Sequence, residues 1–150
     1  MLSNRKNEEK PLLTIGLLSG LYYGSDGCRE GFWRSAAEIL RQEKVDFVVL
    51  AGGLVDKKGM LKRLALKLRG LKADEKEEAR KKFMRDMVQH LVDNIPRITG
   101  VKIYMVTSPA YDGEIGEQIA RALVEKRKDI LLYRPGSDRL PLQQLKKVLG

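Results

Sequence analysis

The sequence predicts an α/β fold in which a mostly parallel sheet of about four strands is flanked by helices. The first observation behind this prediction is that short apolar segments alternate with longer segments whose apolar residues recur at helical spacing. The second is that turns containing glycine follow the apolar segments. Connections of this kind are right-handed crossovers, and a ligand site in such a sheet lies beyond the carboxyl ends of the strands.

The predicted strands are residues 12–19, 45–51, 101–107 and 130–133. Residues 12–19 are almost all apolar, which is typical of a strand buried on both faces. Parallel pairing is favoured because a helical segment separates each strand from the next.

Helices are predicted over residues 29–42, 60–71, 74–94 and 114–126, with a last short helix over residues 140–149. One face of the first helix consists of Phe32, Ala36, Ile39 and Leu40. The helix over residues 74–94 has a buried stripe from Phe83 to Val92, and Asp74 is predicted to cap its N-terminus.

Residues 57–94 are predicted to form a basic helical hairpin inserted between the second and third strands. Eleven Lys or Arg residues and four Asp or Glu residues lie between Lys57 and Lys82, a net charge of +7. A basic stripe of this kind favours binding to a DNA or RNA backbone. The candidate nucleic-acid-binding residues are Lys57, Lys58, Lys62, Arg63, Lys67, Arg69 and Lys72. The alternative is a solvated helix face in a lysine-rich protein.

The composition indicates one globular domain. The chain has 150 residues, of which 43% are hydrophobic and 33% charged, and a net charge of +9. We expect residues 1–10 to be a disordered tail and residues 11–150 to form the domain. A single cysteine excludes an intramolecular disulfide framework, and no signal peptide or transmembrane run is visible, so a cytoplasmic protein is expected. The abundance of Lys, Arg and Glu suits a thermophile.

Three loops follow the first three strands and are expected to meet at one edge of the sheet. Their sequences are SGLYYGSDG at residues 19–27, AGGLVDKKG at 51–59 and TSPAYDG at 107–113. In order and position they resemble the first three motifs of the calcineurin-like metallophosphoesterase family, which have the patterns SDxHxG, GDxxD and GNHD. The resemblance covers roughly residues 12–115 and implies the first half of that family's fold.

Within this family, the loops are most similar to those of the small subunit of archaeal family-D DNA polymerase. There too a Gly-Ser pair follows the first loop, the second loop is an AGDLVD-type turn, and a Ser-Pro pair precedes the third. An Ile-Pro pair before the third strand, here Ile95 and Pro96, is also similar. The resemblance implies an archaeal protein with a place in DNA replication or processing.

The resemblance also indicates that the family's metal ligands are lost. The matched ligand positions are Gly20, Tyr22, Gly53, Asp56, Ala110, Tyr111 and Asp112. Glycine and alanine have no ligating side chain, and a phenol is a poor substitute for imidazole. The family's two-metal site needs several histidines, whereas this chain has only His90. The prediction is therefore an inactive homologue with no catalytic residue, metal or other cofactor.

Two carboxylates and three tyrosines remain among the matched loops. Asp56 and Asp112 could hold one Mg²⁺ together with water, or they could cap the helices that begin after their loops. Tyr22, Tyr23 and Tyr111 are expected to cluster at the strand ends. There they would stack on bases or a peptide, or fill the space of the lost metal site.

The cysteine and the histidine are also candidates for chemistry. Cys28 precedes a helix whose dipole could favour a thiolate, although no histidine lies near it in the sequence. His90 lies beside the apolar stripe of its helix, where a partly buried structural histidine is favoured over a ligand.

Three functions are compatible with these features. The first is a non-catalytic phosphoesterase-like module that binds protein partners and nucleic acid in DNA replication or processing, with homo-oligomerisation as an option and no membrane contact. The second is a divergent metal-dependent phosphodiesterase or nuclease that uses Asp56 and Asp112. The third is a purely structural module of a larger or virus- or plasmid-encoded protein.

Overall fold

The structure, a computed structural model, describes residues 12–25, 28, 30–108, 110 and 112–133. It confirms the predicted α/β fold, with four parallel strands and four helices in the described residues. In chain order these are β1 (Ile15–Leu18), α1 (Glu30–Gln42), β2 (Phe47–Ala51), α2 (Lys57–Leu68), α3 (Ala73–Asn94), β3 (Lys102–Val106), α4 (Gly113–Lys126) and β4 (Ile130–Tyr133). The predicted tail over residues 1–10 and the predicted helix over residues 140–149 lie outside the described residues.

The strands pair in their chain order, β1-β2-β3-β4. Since each right-handed crossover then steps in the same direction, all four helices are placed on one face of the sheet. The packing agrees: Leu18, Val48 and Ile103 line a small cavity together with Trp33 and Ala37 of α1. Buried residues of α2, α3 and α4 belong to the same apolar core.

The opposite face of the sheet is also apolar, and we call it the open face. The register of the strands places on it Ile15, Leu17, Phe47, Val49, Ala51, Tyr104, Val106, Leu131 and Tyr133, with the charged Lys102 at its edge beside Phe47. None of the described helices packs on this face. The prediction that the first strand is buried on both faces is wrong, because Ile15 is 47% exposed and Leu17 70% exposed.

The apolar face of α1 differs from the prediction by about one residue. Trp33, Ala36 and Ala37 are buried, whereas Phe32 and Ile39 are more than half exposed. Apolar residues cover a wide arc of this helix, and the small Ala36 and Ala37 let its backbone approach the sheet. The periodicity alone could not choose between the two orientations because both place apolar residues on one side.

The helical hairpin over residues 57–94 is present as α2 and α3. The buried stripe of α3 is confirmed, with Phe83, Val88 and Leu91 buried. The predicted cap is wrong: α3 begins one residue before Asp74, and the side chain of Glu75 accepts a hydrogen bond from the Lys72 N–H at 3.0 Å. No described helix is both long and apolar enough to cross a membrane.

A fully buried arginine joins the end of the hairpin to the last crossover. Arg127 follows α4, and its guanidinium donates to the carbonyls of Val92, Ile95 and Pro96 at the C-terminus of α3. The same guanidinium binds Asp129 with two nitrogens, and Nε lies 2.8 Å from Oδ1. One of the last carbonyls of α3, that of Val92, and the carbonyls of the two residues after the helix, Ile95 and Pro96, are satisfied in this way.

Candidate functional site

The loops after β1 and β2 are connected by backbone hydrogen bonds at the carboxyl edge of the sheet. The Tyr22 N–H donates to the Gly53 carbonyl at 2.7 Å, and the Tyr23 N–H donates to the Leu54 carbonyl at 3.0 Å. The Asp56 N–H donates to the Tyr23 carbonyl at 2.8 Å. These bonds continue the parallel pairing of the strands into the loops, so the two loops are held together instead of enclosing a cleft.

Gly20 and Gly53, which match aspartates in the family pattern, approach each other through their backbones. Both have positive φ angles, 76° and 67°. A Cβ on Gly53 would lie 3.2 Å from both the Cα and the N of Gly20. Glycine at position 53 is therefore favoured both by the backbone conformation and by the space available. Its lack of a carboxylate is part of how these loops pack.

The ring of Tyr22 covers this pair of glycines. A Cβ on Gly20 or on Gly53 would lie 3.3 Å from the ring. Tyr22 itself has a positive φ of 46° and is 44% exposed. The ring thus covers the two glycines and keeps one side accessible. Tyr111, predicted to join it, lies outside the described residues.

Asp112 connects the second and third loops as a buried hydrogen-bond acceptor. Its Oδ1 accepts from the Val55 N–H at 3.2 Å, and its Oδ2 accepts from the Ser108 N–H at 2.8 Å. The side chain is fully buried. The prediction that it caps the following helix is wrong, because its oxygens accept hydrogen bonds from two loops instead of from the first turn of α4.

Asp56 lies at the start of α2, and Ala110 lies in the third loop. Asp56 is the N-cap residue of α2, but its side chain makes no capping hydrogen bond, so this predicted cap is also wrong. Its Oδ2 would lie 2.7 Å from a Cβ on Gly59, which shows that the carboxylate sits over the first turn. Ala110 is exposed, and its carbonyl accepts from Lys57 Nζ at 3.5 Å.

The loop after β1 also contacts α3 through a cluster of side chains that the sequence did not predict. The buried ring of Tyr23 stacks on His90, with ring centroids 4.8 Å apart. His90 Nε2 lies 2.6 Å from Glu30 Oε1, at the start of α1. This contact between His90 and Glu30 joins residues that are 60 positions apart in the sequence. Tyr23 turns away from Tyr22, so the predicted tyrosine cluster does not include it.

Burial and the carboxylate of Glu30 perturb two groups in this cluster. Burial first, and Glu30 second, raise the pKa of Tyr23 to about 12. The same two causes raise the pKa of the Cys28 thiol. Cys28 is therefore held as a thiol, which argues against the reactive thiolate considered from the sequence.

Stability at alkaline pH is expected to depend on Tyr23. Because the folded pKa of Tyr23, about 12, lies above the ordinary tyrosine pKa of 10.0, its contribution is complete below pH 10.0 and is lost as the pH rises through about 12. Tyr23→Phe should therefore remove part of the pH dependence of the free energy of unfolding in this range. Urea unfolding of the unaltered protein and of Tyr23→Phe at pH 9 and at pH 11 measures this dependence. If both proteins lost the same stability between pH 9 and pH 11, the raised pKa of Tyr23 would be contradicted.

No protein-family model, curated protein sequence or solved structure matches the chain. The resemblance of its loops to the metallophosphoesterase motifs therefore remains a prediction. Within the described ranges, no group of three His, Cys, Asp or Glu side chains is arranged to hold a metal ion.

Positive charge is divided unequally between the helices of the hairpin. α2 has no acidic residue, and its basic residues are Lys57, Lys58, Lys62, Arg63 and Lys67. On α3, Arg80, Lys81 and Lys82 form ion pairs with acidic side chains one turn away, at 3.8, 3.7 and 2.7 Å. For Lys58, Lys62 and Lys67, which are exposed, no ion pair is found in the part of the chain that the structure describes. α2 thus carries basic residues without acidic ones, whereas α3 carries both. The hydrogen bond from Lys82 lowers the pKa of Asp86 on α3, and Lys67 of α2 lies close enough to this carboxylate to lower its pKa further.

A groove of about 900 Å³ runs between α2, α3 and α4. Its apolar floor includes Leu61, Leu64, Met84 and Ile115. Its rim carries the basic Lys57 and Arg85 together with the acidic Glu77 and Glu114, and none of the described residues that line it is aromatic. Because base stacking requires aromatic side chains, this surface offers charge to a nucleic-acid backbone and little to its bases.

Proposed function

We propose that this chain is a non-catalytic phosphoesterase-like domain that binds nucleic-acid backbone through α2 and serves as an interaction module in DNA replication or processing. The observation that carries the proposal is the basic surface of α2, which has five Lys or Arg residues and no acidic residue. Charges that are not neutralised by neighbouring carboxylates are free to displace counterions from phosphates.

The arrangement of the three loops supports the non-catalytic part of the proposal. Gly20, Gly53 and Ala110 have no ligating side chain, and a side chain at Gly53 would meet the backbone of Gly20. The buried Asp112 uses both of its carboxylate oxygens as acceptors for loop N–H groups. A water-activating pair of metals needs several free ligands at this edge. The replication context comes from the family resemblance.

The proposal predicts that neutralising α2 weakens binding to DNA. We expect Lys58→Gln, Lys62→Gln and Lys67→Gln in one variant to lower the affinity for a 20-base-pair duplex about tenfold at moderate salt, and to reduce the salt slope by up to about three. The reason is the loss of phosphate contacts. Fluorescence anisotropy at several salt concentrations measures both quantities, and the effect should be the same for unrelated DNA sequences.

A matched variant separates the surface of α2 from net charge. Arg80→Gln, Lys81→Gln and Lys82→Gln remove the same three charges from α3, where they are paired with carboxylates. This variant should bind nearly as the unaltered protein does. Equal weakening by both triple variants would show that only net charge matters. Salt-insensitive binding, or none by the unaltered protein, would reject the proposal in favour of a purely structural module.

A further inference from the structure

The open face of the sheet is a large apolar surface on a fold that normally covers such surfaces. All-parallel sheets are found with both faces buried. Here the core lies on the helix-bearing face, and Phe47 packs edge-to-face on Tyr104 on the other face, 5.3 Å between ring centroids. At the edge formed by β1, Leu17 is 70% exposed. Of the large apolar side chains on this face, Ile15 and Leu17 are exposed, Val49, Tyr104, Val106, Leu131 and Tyr133 are partly exposed, and Phe47 is buried. A contiguous, partly exposed apolar surface of this kind marks an interaction site.

The chain continues beyond β4 with a segment suited to this surface. Residues 134–139 read RPGSDR, a turn sequence, and residues 140–149 read LPLQQLKKVL. Leu142, Leu145 and Leu149 recur at helical spacing, with Gln143 and Lys147 on the opposite side. Pro141 suits the first turn of a helix. The pattern predicts an amphipathic helix with one apolar stripe.

The length of the predicted helix over residues 140–149 also matches the length of the strands. A helix of ten residues is about 15 Å long, and the five-residue strands β2 and β3 span about 17 Å. Six linking residues reach at most about 20 Å, enough to turn from the end of β4 onto either face. On the helix-bearing face α4 already packs against β4. Leu131 and Tyr133 of β4 lie on the open face, which is therefore an apolar surface within this reach.

We propose that residues 134–150 turn back at the end of β4 and pack the apolar stripe of residues 140–149 on the open face. The occupant is thus this chain itself. A tethered segment has an effective concentration in the mM range, so it competes strongly with a second copy of the protein at about 10 μM. Packing a helix on the second face converts the one-sided sheet into a three-layered α/β arrangement.

Disulfide trapping tests the proposal in the full-length chain. In a Cys28→Ser background, Val49→Cys on the open face is combined with Leu145→Cys on the apolar stripe. The control combines Val49→Cys with Gln143→Cys, on the polar side of the predicted helix. After mild oxidation at about 10 μM, non-reducing electrophoresis and peptide mass spectrometry identify the bond. Light scattering of the unoxidised proteins reports their oligomeric state.

The expected result is a monomer closed by its own disulfide, formed about 100-fold more readily than a bond between two chains, and far less of it in the Gln143→Cys control. A disulfide between two chains, together with a dimer in light scattering, would overturn the proposal in favour of a second copy on the open face. Absence of the intramolecular disulfide, or equal amounts in both pairs, would also overturn it.

Discussion

Replacing Arg127 with methionine is expected to lower the free energy of unfolding by about 3–5 kcal/mol, the range typical for removal of one partner from a buried ion pair. The guanidinium is fully buried and is the donor to three carbonyls at the end of α3. Methionine fills much of the volume but leaves these carbonyls without the guanidinium donor and leaves Asp129 with only the exposed Arg97 as a cationic partner. Urea unfolding at pH 7 measures the loss, provided that the m-value is unchanged.

Arg97→Met is the matched control for this substitution. Arg97 also contacts Asp129, with Nη1 3.5 Å from Oδ1, but its side chain is 62% exposed. An exposed pair of this kind contributes at most about 1 kcal/mol. If both variants lost the same stability, the burial of Arg127 would not be the cause.

The ion pair between Arg127 and Asp129 also predicts that the effect of Arg127→Met on stability depends on pH. The hydrogen bond from Arg127, and then its charge, hold the pKa of Asp129 below its usual value. Because the folded pKa is depressed, the contribution of the pair is present above the unfolded pKa of about 4 and is lost as the pH falls through the folded pKa. Arg127→Met should therefore destabilise the protein less at pH 2 than at pH 7.

Introducing an aspartate at position 53 is expected to destabilise the protein by about 3 kcal/mol instead of creating a metal site. The residue would be forced into a left-handed conformation, and its Cβ would press on the backbone of Gly20. The conformation costs about 1–2 kcal/mol, and the crowding adds about 1–3 kcal/mol. Thermal unfolding of Gly53→Asp with and without Mn²⁺ measures both the destabilisation and any metal binding.

Gly70→Asp provides the control for Gly53→Asp. Gly70 has a comparable φ of 77°, but a Cβ there would meet nothing within 4 Å. This variant should lose only the conformational cost, about 1 kcal/mol. Equal destabilisation at the two positions would show that the contact with Gly20 is unimportant. A rise in the melting temperature of Gly53→Asp on addition of Mn²⁺ would show that the loops can still accommodate a metal.

The local parts of the fold could be predicted from the sequence. The strand over residues 130–133 was predicted to the residue, and the buried stripe of α3 was predicted correctly, because each is encoded by a short periodic pattern. The order of the strands is not encoded in this way. Residues 12–19 therefore looked like a doubly buried strand, although β1 lies at an edge and has one face on the open side.

For the candidate site too, local features could be predicted from the sequence and contacts between distant residues could not. The sequence placed the three loops at one edge, but the interactions that shape them join distant residues. Asp112 accepts from Val55, 57 positions earlier, and His90 reaches Glu30 across 60 positions. No local pattern distinguishes a carboxylate that caps its own helix from one that connects two loops. The buried Arg127 was missed for the same reason, since an arginine after a helix ordinarily lies at the surface.

The uniform order of the described strands has a consequence for the kinds of ligand this domain can take. In open α/β sheets, small molecules bind where the strand order reverses, because adjacent loops there diverge to opposite faces and leave a crevice between them. The described strands step in one direction throughout, so their loops all turn towards the same face and lie side by side. Within the described residues, the carboxyl edge is therefore closed by loops that pack side by side, and the groove between α2, α3 and α4 lies on the outer side of the helices.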